Sequence, residues 1–107
     1  MTMRSNRIGL LTALLLASTG MPAYAGEQAV IIDNFAFQPA QLTVDAGTTV
    51  VWTNRDDIPH TVASGDSTLR SPPLDTGDVF RFAFTQKGTY RYFCTLHPHM
   101  QGTVIVR

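Results

Sequence analysis

Seven consecutive residues, Cys94-Thr95-Leu96-His97-Pro98-His99-Met100, hold most of the chemistry open to this chain of 107 residues. Beyond residue 25 there are one cysteine, one methionine and three histidines, and all but His60 fall within that stretch. A thiolate, a thioether and imidazoles gathered in one loop suit a soft or borderline transition metal. The spacing C-x2-H-x2-M lets a tight loop present three donors to one point, and His60 is the histidine left to supply a fourth from elsewhere.

The donor types select the metal. One thiolate, two imidazoles and a thioether match a trigonal His2Cys copper site with a weak axial methionine. Structural zinc favours more cysteines in paired spacing, and calcium and magnesium want carboxylate oxygens, which the loop lacks. The candidate ligands are therefore His60, Cys94, His97 and Met100, with copper the metal expected. Taken singly each has a plainer reading: Cys94 as an inert buried thiol, Met100 as core filler, His60 as a hydrogen-bonded histidine. Their joint occurrence is what argues for a site. His99 stays open between a solvent-exposed bystander, a residue tuning docking or pH response, and a further ligand.

Short runs rich in Val, Ile, Thr and aromatics, separated by Gly, Pro, Asn and Asp, must position these donors. They predict strands over residues 29–32, 42–44, 48–53, 60–63, 79–84, 90–94 and 103–106, with no convincing helical period anywhere. Phe80, Phe82 and Phe84 alternate with Val79, Arg81 and Ala83, which puts three phenylalanines on one core-facing side. Tyr90, Tyr92 and Cys94 likewise share a face, so Cys94 should look inward at a strand end. Gly102 is expected to let the loop turn back into the last strand. Evenly spaced strands without helices predict an all-β Greek-key sandwich.

The N-terminus has a different character. Arg4 and Arg7 precede an apolar run from Ile8 through Leu16, which ends in Pro22-Ala23-Tyr24-Ala25. That order reads as a secretory signal peptide over residues 1–25, with an uncleaved membrane anchor as the alternative; the run is short of the ~20 residues a bilayer span needs. Residues 26–107 then make one small domain. They carry six Lys and Arg against eight Asp and Glu, with no basic cluster, so nucleic acid is not an expected partner. An exported domain of this size commonly relies on disulfides, yet Cys94 has no cysteine to pair with.

The chain resembles the cupredoxins, amicyanin and the bacterial plastocyanin-like proteins most closely. The resemblance is carried by Val51-Trp52-Thr53-Asn54-Arg55-Asp56-Asp57-Ile58-Pro59-His60, by Gly88-Thr89-Tyr90-Arg91-Tyr92-Phe93-Cys94, and by the ligand loop closing into Gly102-Thr103-Val104-Ile105-Val106. It implies His60, Cys94 and His97 as equatorial copper ligands and Met100 as the weak axial one. It also implies that Asn54 ties the first ligand's loop to the cysteine loop through hydrogen bonds near Thr95. A histidine at 99 departs from the aromatic apolar residue usual in amicyanins.

The function implied is one-electron transfer in the periplasm by a monomer, with no enzymatic activity of its own. His97 would be the electron port, ringed by Ile58, Pro59, Leu96 and Pro98, and Phe93 a second route or an ordinary exposed aromatic. Redox proteins are the implied partners, a periplasmic dehydrogenase as donor and a c-type cytochrome as acceptor. The competing reading is a periplasmic copper carrier or buffer without a redox partner, since thiolate and thioether also suit cuprous copper.

Overall fold

The computed structural model describes residues 26–107; the expected signal peptide lies outside them. Seven strands follow in order: β1 (Glu27–Asp33), β2 (Ala36–Gln38), β3 (Gln41–Val44), β4 (Thr48–Asn54), β5 (Val79–Phe84), β6 (Gly88–Phe93) and β7 (Gln101–Val106). One sheet has the order β2-β1-β4-β5 and the other β3-β7-β6. The chain changes sheet between β2 and β3, between β3 and β4, and between β5 and β6, which gives the all-β sandwich expected. β1 pairs in parallel with β4, and β3 with β7; the remaining ladders are antiparallel.

Period-two alternation fixes what each strand buries. Along β4, Thr48, Val50, Trp52 and Asn54 are buried while the residues between them are half-buried. Trp52, fully buried, lies beside Phe80 and Phe84 of the neighbouring strand β5 and meets Tyr92 of the facing sheet. Phe84 is buried and Phe80 and Phe82 pack partly against the same core, as their alternation requires. In β6, Tyr92 is buried and Arg91 exposed, and Cys94, just past the strand, is buried on the Tyr92 side.

One expected strand is missing and one strand was not expected. Residues 60–63 form no ladder, only isolated bridges from His60 to Leu74 and from Ala63 to Arg70 and Phe93. Pro59 on one side and Pro72-Pro73 in the facing segment remove donors that a continuous ladder would need. β2 was not anticipated, because three residues are too few to display a period.

Candidate metal centre

Hydrogen bonds of the backbone assemble the site. The Cys94 N–H donates to the Met100 carbonyl at 3.1 Å, His97 N–H to the Cys94 carbonyl at 3.2 Å, and Met100 N–H to the His97 carbonyl at 2.8 Å. Two successive i to i+3 turns have a period near three, at which side chains three apart eclipse. Residues 94, 97 and 100 therefore fall on one side of the loop, the physical content of the C-x2-H-x2-M spacing. The opposite wall comes from residues 60–63, held by a reciprocal pair of bonds between Ala63 and Phe93, at 3.0 and 2.9 Å, and another between His60 and Leu74, at 3.2 and 2.8 Å.

The nitrogens of His60 and His97 and the sulfur of Cys94 lie within 4.8 Å of one another. In both histidines Nδ1 faces the thiol, 3.7 Å from Cys94 Sγ. His60 and Cys94 are fully buried and His97 is half-buried. Met100 is also buried, at the foot of the same loop. His99 is exposed and is not part of this cluster.

Sulfur chemistry is tuned by the donors around it. Burial pushes the Cys94 thiol up, but the Thr61 N–H, contacts from His60 and His97 and the Leu96 N–H outweigh it and bring it down to about 6. The Thr61 N–H lies 3.4 Å and its hydroxyl 3.8 Å from Sγ. That hydroxyl also accepts the Thr95 N–H at 2.7 Å and meets the Thr95 hydroxyl at 2.8 Å.

Thr61 thus makes the link to the cysteine loop expected of Asn54. Asn54, fully buried at the end of β4, instead donates from Nδ2 to the carbonyls of Ile58 and Leu74, at 2.9 and 2.8 Å, and accepts the Asp56 N–H at 2.9 Å. It braces the approach to His60 rather than Thr95. Its bonds stay with the segment that follows β4 and with Leu74.

Three residues that matter here were not singled out from sequence: Thr61, Asp56 and Phe35. Asp56 accepts from the backbone N–H of Asn34 and Phe35 at 2.6 and 2.9 Å and stands 2.7 Å from His60 Nε2. Burial raises its carboxyl, and the bonds from Phe35, His60 and Asn34 prevail, holding it below the usual carboxylate range. Leu96 is 52 % exposed, Pro59 and Pro98 are exposed and Ile58 is half-buried. Phe35 is 47 % exposed.

A β-sandwich in which the Cys94 thiol and the His97 imidazole, from the loop between its last two strands, converge with the His60 imidazole from the segment after β4 has the makings of a mononuclear soft-metal site, and this donor set fits copper. The chain belongs to the cupredoxin family of electron-transfer proteins: the cupredoxin-like domain matches residues 7–106. Amicyanin of Paracoccus denitrificans is 34 % identical over 91 residues, covering 78 % of this chain and 70 % of its own length. Among solved structures, a purple cupredoxin from Nitrosopumilus maritimus superposes with a TM-score of 0.71 at 38 % identity, covering 74 % of this chain and 98 % of the other. A methionine-to-glutamine variant of amicyanin in its Cu(I) form gives 0.72 at 34 % identity, covering 77 % and 83 %.

Proposed function

We propose that this chain is an exported one-electron carrier whose His60 Nδ1, Cys94 Sγ and His97 Nδ1 would hold one copper ion, with Met100 as a further, weaker donor. The observation that carries this reading is the convergence of those three atoms within 4.8 Å on a frame of backbone hydrogen bonds. Copper, when bound, supplies the redox couple; the chain supplies a site that does not have to move. Loop 94–100 is closed on itself, residues 60–63 are clamped to Phe93 and Leu74, and the Thr61 N–H steadies the sulfur. Limiting rearrangement between oxidation states is what makes exchange of an electron fast.

His97 is the ligand nearest solvent, so its edge is the port. The exposed Leu96, Pro59 and Pro98 around it suit brief contact with redox protein partners, since weak electron-transfer encounters use small interfaces. Resemblance to amicyanin supports a dehydrogenase as donor and a c-type cytochrome as acceptor, in the periplasm, with residues 1–25 removed as a signal peptide and the carrier working as a monomer. Burial of His60 and Cys94 favours a carrier of electrons over one of copper, because a cargo site must open to release its ion.

Protein-film voltammetry on the copper-loaded chain tests the proposal. A reversible one-electron wave, unchanged in amplitude over repeated cycles, is expected. Copper that binds only in the cuprous state and is lost on oxidation would establish the copper-ferrying reading instead.

A further inference from the structure

The turn between β1 and β2 breaks the local rule for its own geometry. Asp33 pairs with Ala36, so Asn34 and Phe35 form a two-residue hairpin loop, and both have positive φ, 52° and 58°. Such turns take Gly or Asn at the second place, where a bulky side chain is an outlier. Core burial does not account for the phenylalanine either, since it is 47 % exposed. A strained residue persists only where its surroundings over-determine it, and such residues cluster at functional sites.

What holds the turn is Asp56, whose two oxygens accept the N–H groups of Asn34 and Phe35. What the turn presents is the Phe35 ring. Its centroid lies 5.4 Å from that of His60, at an interplanar angle of 82°, and 5.2 Å from that of His97, at 89°. The two imidazoles are themselves 5.1 Å apart at 64°. Edge-to-face contacts at these separations are favourable and directional. One ring thus contacts both imidazoles, and Asp56, which fixes the turn behind it, also stands against His60 Nε2.

We propose that Phe35 is a positioning residue: its ring holds the His60 and His97 imidazoles at their converged spacing before metal arrives, so that copper enters a preformed site. The inference rests on the ligand assignment made above and deepens it. It explains why a phenylalanine occupies a place suited to glycine, and why it is left half-exposed beside the port.

The test compares the parent chain with Phe35→Gly, Phe35→Asn and Phe35→Tyr. Gly and Asn both accept positive φ, so folding does not depend on either variant alone. Side-chain NMR order of His60 and His97 is measured in the metal-free chains, and affinity for cuprous copper is measured by competition with a chelator. Phe35→Gly and Phe35→Asn are expected to lower the ring order of His97 below that of the parent chain. Their cuprous affinity should fall about tenfold or more, the usual effect of losing a residue that orients a ligand. Phe35→Tyr, which keeps the ring, should retain both properties. Parent-like ring order and affinity in the Gly and Asn variants would overturn the inference. A parent chain that binds no copper would overturn the ligand assignment and this inference with it, an outcome distinct from the first.

Discussion

Asp56 Oδ2 stands 2.7 Å from His60 Nε2, on the side of the ring opposite the thiol. Nε2–H donating to that carboxylate leaves Nδ1, the nitrogen facing Cys94, with its lone pair free for a metal. The relationship makes Asp56 a determinant of tautomer as well as of ring orientation.

Asp56→Asn should therefore weaken copper binding by about tenfold or more, because the carboxamide brings donors where the site needs acceptors. It also loses charge-assisted bonds from the N–H groups of Asn34 and Phe35. Titration against a chelator reads the effect; parent-like affinity would show that the tautomer is set elsewhere.

Thr61 holds the sulfur and the cysteine loop together. Thr61→Val keeps the shape and the Thr61 N–H but removes the hydroxyl that accepts from Thr95. It should cost about 1 kcal/mol of stability, the net worth of one hydrogen bond, and shift the reduction potential by changing the surroundings of the sulfur. Denaturant unfolding and voltammetry together check it. An unchanged potential would mean that the Thr61 N–H alone sets the sulfur's surroundings.

Gly102 was expected to serve a turn, but its φ is not among the positive values of this chain. Its role is space: a Cβ there would lie 2.3 Å from Tyr92 Cζ and 2.4 Å from its hydroxyl oxygen. Tyr92 has little room to yield, wedged against Phe37 and Trp52. Burial, partly offset by Trp52, pushes its phenol up to about 12. Gly102→Ala should destabilise the fold by about 1–3 kcal/mol through overpacking, measured as a lower urea midpoint at unchanged m-value. A parent-like midpoint would mean that the Tyr92 ring can move aside.

The Cys94 thiol, at about 6 when folded against 9.0 ordinarily, makes the stability of the metal-free chain depend on pH. Its folded value is depressed, so the folded chain gives up the proton first. Stability from this group is full above the unfolded value of 9.0 and is lost as pH falls through about 6. Each unit of depression is worth about 1.4 kcal/mol. Urea midpoints of the metal-free chain should rise between those limits, and Cys94→Ser should flatten the rise; equal slopes in both would show that the thiol is not depressed.

Much of the site is legible in the sequence because it is local. Cys94, His97 and Met100 lie on one loop with a period of three, and the strand alternation around Trp52 and Phe84 follows directly from residue type. Phe35, Asp56 and Thr61 are another matter, since the hydrogen bonds that place them join residues 21, 22 and 33 positions apart. The parallel register that sets Ile32 beside Asn54 brings the turn at residues 34–35 alongside Asp56. Only the pairing of β1 with β4 reveals this, and periodicity within one strand does not encode it. Phe35 itself was hidden by its type, a strand-favouring residue standing in a turn.

The central claim is that Cys94 binds copper together with His60 and His97, and the visible absorption spectrum of the chain loaded with cupric copper tests it most directly. The expected result is an intense thiolate-to-copper charge-transfer band that reductant bleaches reversibly and that is absent from Cys94→Ser. A colourless cupric complex, or a band that survives in Cys94→Ser, would contradict it.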